Sequence, residues 1–402
     1  MAETQVGEPS KHPNIWWISS GLGLYVLLMY GITYYAVTTA APRIAAEFSV
    51  PVSTIFAMFS AALLGTALLA PRYGRWTDQL GAARILLAGA LLRAVALALM
   101  ALAPNILLFV LAFLIVQLLS QITEYDAAFS SAVEVAGEQA RTAISNITLW
   151  GGLASTAFWP ATSFLLDEVG WRTMMLIYAA SMLAVCVPIA ALLCTIPPRR
   201  RTDCDEADVS TRPSAVAPAR WSDRRFILLS AAFACGGIAY SLPALMLPVL
   251  EGLGLGAMAV VAGMLFGPSQ TAGRLFELLY GSKTHALQVA VIASTAVALS
   301  LMILLASDRA WMGLLFAVMF GAGGGVSYVV RGSVVLALYG TGQYASWLGR
   351  LGRVRLIVSA FAPFVLALVL DGYGARGVVA FCTVAALASL GFFVWLVRLR
   401  RG

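Results

Sequence analysis

Long apolar runs alternate with short polar stretches along the whole chain, and each run is close to the roughly twenty helical residues that cross a bilayer. They fall at 16–41, 53–72, 84–103, 106–133, 141–166 and 172–196, and again at 225–250, 256–276, 285–306, 310–337, 351–370 and 376–397. The pattern predicts an all-α membrane protein with twelve transmembrane helices. Short alternating segments of the kind that build a membrane β-barrel do not occur. Between the sixth and seventh runs, Pro197–Asp223 is rich in Arg, Asp, Pro, Ser and Ala and has no apolar periodicity, so it reads as a solvated linker. The chain therefore divides into a six-helix bundle at 1–197, a cytoplasmic linker at 198–223 and a second six-helix bundle at 224–402.

Composition agrees. The 402 residues are 60% hydrophobic and 11% charged, against about a quarter charged in an ordinary soluble domain. Such a chain lacks the polar surface to cover a soluble core. The polar stretch Met1–Pro13 leads into a span too long for a signal-peptide core. Its net charge of +7 raises the question of nucleic acid, but the placement of the charge gives another reading. With the N-terminus inside and the sides alternating, Lys11, Arg72, Arg75, Arg84, Arg141, the linker arginines, Arg274, Lys283, Arg350, Arg353, Arg355, Arg398, Arg400 and Arg401 all face the cytoplasm. Arg43, Arg172, Arg309 and Arg376 face outward, and Arg93 and Arg331 lie within spans. That bias is the positive-inside rule. It predicts a multi-pass protein of the cytoplasmic (inner) membrane with both termini inside, and no nucleic-acid partner.

The halves repeat. Gly74-Arg75-Trp76-Thr77-Asp78 after the second span answers Gly273-Arg274-Leu275-Phe276-Glu277 after the eighth, 199 residues on. Asp167–Arg172 answers Asp371–Arg376, 204 residues on. Parallel six-helix repeats are a transporter architecture with the substrate at the repeat interface.

Gly74, Asp78, Gly81 and Arg84 then give the chain its resemblance to the major facilitator superfamily, whose signature between the second and third helices has this spacing. Gln79 stands where the signature has a basic residue, and Ala82 and Ala83 dilute the basic cluster. The resemblance implies that Asp78, with Arg75 and the repeat residues Arg274 and Glu277, holds the two bundles together on the cytoplasmic side. It also implies that helices one, four, seven and ten line a central path. The helix-five segment Trp150–Pro160 lacks the glycine-proline pattern of drug/proton antiporters. The stretches Tyr125–Pro160 and Tyr328–Gly340 resemble a bacterial branch with arsenite-efflux transporters, and Gly170-Trp171-Arg172 resembles monocarboxylate-transporter relatives.

Charges buried in hydrocarbon cost about 2.5–3.5 kcal/mol each on insertion scales and mark function. Glu124 and Asp126 lie inside the fourth span and Arg331 inside the tenth. The expectation is that Glu124 and Arg331 pair across the path and that Glu124 carries the coupling proton. Asp126 is set about 200° away around a regular helix, so one of the two acids should face a neighbouring helix instead. Arg93 reads as structural, a partner for an acid of its own bundle. Tyr30 and Tyr34 share a face of the first span by i, i+4 spacing, and Tyr240 and Gln270 are further lining candidates, with Pro243 breaking the seventh span.

The two histidines, His12 and His285, and the five scattered cysteines form neither a metal site nor a disulfide framework. No HExxH, Walker A or GxSxG motif occurs. A monomeric secondary transporter without cofactor or metal is expected, probing a small solute and protons as partners in the lipid bilayer. Its expected action is efflux of a small toxic or metabolite solute such as arsenite or an organoarsenical. The alternatives are a proton-coupled monocarboxylate or other small organic anion transporter and, in a different class, a non-transporting receptor or scaffold.

Overall fold

The computed structural model describes residues 14–197, 223–256, 258–306 and 309–401, all of it helix and connecting turn with no strand among them. The expected linker, with Arg199–Arg201 and Cys204, lies outside the described residues apart from Asp223, as does the tail with His12. In chain order the helices are α1 (Ile15–Tyr30), a π-helical turn Gly31–Ala36, α2 (Val37–Glu47), α3 (Val52–Leu80), α4 (Ala82–Ala101), α5 (Ile106–Leu118), α6 (Ser120–Thr123), α7 (Tyr125–Ala136), α8 (Ala140–Gly152), α9 (Ala154–Ser181) and α10 (Val187–Thr195). The second half continues with α11 (Arg224–Ala239), α12 (Met246–Gly252), α13 (Met258–Tyr280), α14 (Ala286–Leu305), α15 (Ala310–Tyr339) and α16 (Tyr344–Arg401).

Eight helical stretches of the described residues are long and apolar enough to cross a membrane by length and composition. Two of these run for 76 and 57 residues, far beyond the roughly twenty that one crossing needs. Both contain a glycine with positive φ that no other residue type adopts comfortably: Gly170 (φ 76°) inside α9 and Gly374 (φ 68°) inside α16. Each is a sharp kink where the chain changes direction.

Helix α4 shows why these segments sit as they do. It is apolar on every side, which suits hydrocarbon rather than water. Its buried face carries small residues, among them Gly89, Ala90, Ala94 and Ala101, while Leu91, Leu92, Val95 and Leu99 point outward. Small residues inside and leucines outside are what membrane helices use, because lipid removes the drive to bury leucine and close backbone approach brings the contacts. Gly89 illustrates the approach: a Cβ there would lie 2.5 Å from the Thr123 side chain. The N-terminus of α4 is satisfied by Glu134 at the end of α7, whose two carboxylate oxygens each accept the Ala82 N–H at 3.0 Å.

Helix ends run past the apolar runs on one side of the molecule. α3 continues to Leu80 rather than stopping at 72, α13 continues to Tyr280, and α16 starts at Tyr344 rather than 351. The added turns carry Arg and Gln, which form helix about as readily as leucine does but end a hydropathy signal. α3 and α16 meet there in close contact across the two halves: a Cβ on Gly74 would fall 2.3 Å from the Ala345 carbonyl, and one on Gly349 2.3 Å from that of Ala70.

Candidate functional site

The fourth apolar run is not one helix. It breaks at Leu119 and again at Glu124, whose φ and ψ of −115° and −149° lie outside the helical region. Arg93 of α4 is bonded across this break, to one backbone carbonyl and two side chains. Its fully buried guanidinium donates through Nε to the Val116 carbonyl (2.9 Å), through Nη1 to Thr123 Oγ1 (2.7 Å) and through Nη2 to Glu124 Oε1 (2.8 Å). Desolvating a guanidinium is costly unless every donor finds an acceptor, and here three find one.

This corrects the expected pairing. Glu124 does not face Arg331; it holds Arg93 within its own half. Arg331 of α15 donates to Asp126 Oδ1, and Arg355 of α16 stands 3.6 Å from Asp126 Oδ2. The physical reason is the break itself. Between α5 and α7 the helical phase is reset, so angles counted from a continuous helix do not apply. Gln121 on the short α6 also turns inward and donates to Asp126. Asp126 is 5% exposed at its side chain, against 16% for Arg331 and 23% for Arg355. One buried carboxylate thus faces two guanidiniums from the other half of the chain.

Arg355 is a second correction. By charge alone it belongs with the cytoplasmic loop arginines, but α16 begins well before it and carries it into the interior. Gly352, one turn away, lets α16 approach, for a Cβ there would sit 3.3 Å from Gln121 Nε2.

The signature residues lie toward the α3/α16 edge. Asp78 accepts the N–H groups of Ala345 (3.1 Å) and Ser346 (2.8 Å), the free first-turn donors of α16. The repeat residue Glu277 does the converse job on α8, accepting from Arg141 (3.3 Å) and from the Ser145 hydroxyl. Arg274 reaches back to α8 as well, donating to the Thr148 carbonyl (3.0 Å), to Gly325 (3.3 Å) and to Gln270 Oε1 (3.4 Å). Gly152 leaves room for it, since a Cβ there would lie 2.2 Å from Arg274 Nη1. Gly81 makes the turn after α3 at φ 90°. Arg75 and Arg84 are exposed, and neither takes part in these contacts. Between this layer and Asp126 the packing leaves a void of only ≈ 10 Å³, lined by Thr77, Gln121, Asp126, Ser130 and Leu348 among others.

At the opposite end two ion pairs join elements of the first half. Arg43 donates to Asp167 and to the Leu166 carbonyl, and Arg172 pairs with Glu47 at 2.7 Å. Tyr30 and Tyr34 lie between these two ends on the π-helical turn and its approach, with rings stacked at 5.1 Å. Tyr240 hydrogen-bonds Ser327 of α15 just where α11 gives way to the short 3₁₀ turn Leu242–Leu245. Sequence reasoning missed Gln121, Tyr125, Tyr328 and Glu134. None carries a motif, and their roles come from the break and from neighbours distant in the chain.

The family model described as Major Facilitator Superfamily matches residues 23–284. Among solved structures, the human organic anion transporter MFSD10 (TETRAN) is similar at 15% identity over 94% of this chain and 98% of that one, with a TM-score of 0.70. FucP, a Major Facilitator Superfamily transporter in the outward conformation, is similar at 14% identity over 95% and 99%, with a TM-score of 0.74. A variant of the E. coli fucose:proton symporter FucP follows at 12% identity over 95% and 96%, with a TM-score of 0.66. At such identities the likeness is one of fold. A comparison with curated proteins finds no match. The match to more than half of the chain, on a fold shared with these transporters, makes this protein a member of the Major Facilitator Superfamily and a membrane transporter, not an enzyme.

Proposed function

We propose that the protein is a proton-coupled secondary transporter that carries a small organic anion across the cytoplasmic membrane by alternating access. The observation that carries this reading is the Asp126–Arg331–Arg355 cluster, where a single carboxylate from the first half meets two guanidiniums from the second. The cluster has a surplus positive charge, and Arg274 nearby adds another with only neutral acceptors around it. Planar guanidiniums match a carboxylate in geometry as well as in charge. A substrate carboxylate would compete with Asp126 for the same donors. A proton on Asp126 cancels its claim on the arginines, so proton and substrate can be linked without any other group. Asp126 replaces Glu124 as the proton carrier in this reading, because Glu124 is committed to Arg93.

The architecture proposed for this work is twelve membrane crossings in two six-helix bundles, 1–197 and 224–402, in a monomer with both termini and the 198–223 linker inside. The kinks at Gly170 and Gly374 support it, since each turns one long helical stretch into two at corresponding places in the halves. So do the reciprocal contacts of Asp78 on α16 and Glu277 on α8. With the positive-inside orientation, those contacts form the cytoplasmic gate, closed here. The arsenic reading has less support: Cys186 and Cys382 are buried, and no three of the His, Cys, Asp and Glu side chains among the described residues stand together as a binding group.

Uptake of labelled small carboxylates into proteoliposomes, with and without an imposed proton gradient, tests the proposal. Gradient-driven accumulation that Arg331→Gln abolishes is expected. Accumulation of a neutral solute with no response to any carboxylate would overturn it.

A further inference from the structure

The aromatic rings next to the charged cluster bear on the rest of the substrate. The π-helical turn Gly31–Ala36 widens the first span by a residue, a distortion that often marks functional sites. Gly31 lets α9 pack close to this turn, for a Cβ there would lie 2.2 Å from the Phe158 ring. Tyr30 and Tyr34 stack at 5.1 Å with an interplanar angle of 5°. Tyr30 meets Tyr125 edge-on at 5.9 Å, and Tyr125 meets Tyr328 of the other half at 5.7 Å. Tyr125 directly precedes Asp126, and Tyr328 lies one turn before Arg331. A chain of ring contacts, stacked, edge-on and tilted, therefore runs from beside the cations to Tyr34.

Tyr34 is 44% exposed in the middle of a span. It lies within electrostatic reach of Tyr328 of the other half and against Tyr30, Tyr35 and Phe59 of its own. We infer that the transported anion is an aromatic carboxylate, its carboxylate on Arg331 and Arg355 and its ring against Tyr30 and Tyr34, with the buried Tyr125 backing them. The inference rests on the organic-anion reading above and adds the body of the substrate to its head.

A hydroxyl-rich body, such as a sugar acid, would need free amides or carboxylates to bind its hydroxyls. The nearby amides are partly engaged: Gln117 donates to the Thr33 carbonyl at 2.9 Å, Gln121 to Asp126, and Gln270 accepts from Arg274. Besides the tyrosine hydroxyls, the surface offers ring faces, and a flat π system gains from them what a puckered aliphatic ring does not.

Binding to the purified full-length protein in nanodiscs, measured with benzoate, cyclohexanecarboxylate and gluconate, decides the matter. Benzoate is expected to bind about fivefold tighter than cyclohexanecarboxylate, the size of a typical aromatic pair contribution, with gluconate weaker still. Tyr34→Leu should bring the benzoate to cyclohexanecarboxylate ratio to about one. Equal affinity for benzoate and cyclohexanecarboxylate in the wild type overturns the inference, as does a Tyr34→Leu ratio equal to that of the wild type. If the two bind equally and Arg331→Gln abolishes both, the organic-anion reading stands and the aromatic inference alone falls. If none of the three binds, both fall together.

Discussion

Removing the Asp78 carboxylate should open the α3/α16 edge without unfolding the protein. Asp78 accepts two first-turn N–H groups of α16, at 3.1 and 2.8 Å. Loss of such a helix cap costs about 0.5–2 kcal/mol, and loss of the charge at the positive end of the helix about 0.3–1 kcal/mol more at an exposed site. For Asp78→Ala the closed arrangement should lose about 2 kcal/mol, which is roughly a 30-fold change in the ratio of closed to open molecules. Asp78→Asn keeps one carbonyl acceptor and loses the charge, so about half that energy and about a fivefold change are expected. Ser130 is 4% exposed and lines the small void behind this edge. A Ser130→Cys probe in a background free of other cysteines reports opening through its alkylation rate, since reagent from the Asp78 side reaches it only when the edge parts. The rate should rise about 30-fold with Asp78→Ala if opening is fast relative to alkylation. An unchanged rate, in protein whose thermal unfolding shows it folded, would refute the assignment of Asp78 as a clamp between the halves.

Other expectations follow from the same contacts. Gly74→Val should prevent the closed packing, because even a Cβ meets the Ala345 carbonyl at 2.3 Å; the Ser130→Cys alkylation rate should rise at least as much as with Asp78→Ala. Glu124→Gln leaves the fully buried Arg93 without its counter-charge, and breaking a buried pair costs about 3–5 kcal/mol. Its signature should be low expression and a lowered melting temperature, whereas Asp126→Asn should act chiefly on transport. A cysteine placed in 199–223 should react with an impermeant reagent only after the membrane is opened; labelling from outside intact cells would contradict the orientation.

The all-helical membrane fold was legible because it depends on hydropathy, which is additive along the chain. The Gly74–Arg84 signature follows from local residue types, and the structure places Asp78 against α16 and Glu277 against α8. The pairing of charges was not legible. Residues 119–124 contain neither glycine nor proline, so nothing local announces the break, which is held open by Arg93 from about thirty residues earlier in the chain. Once the helical phase is lost, Glu124 and Asp126 exchange the partners that regular spacing assigns. Arg355 was hidden for a related reason. The apolar run begins at 351, which leaves Arg353 and Arg355 at its cytoplasmic end, but α16 starts earlier, at Tyr344, and carries Arg355 into the interior.

Proton movement driven by substrate tests the central claim most directly. Proteoliposomes containing the protein, in a lightly buffered suspension with no imposed gradient, are given a small carboxylate while the external pH is followed. The account expects a pH change that depends on the carboxylate, that is lost with Arg331→Gln because the anion no longer binds, and that is lost with Asp126→Asn while the anion still binds. Wild-type protein that moves no protons with any carboxylate, or an Asp126→Asn protein that moves them at the wild-type rate, would contradict it.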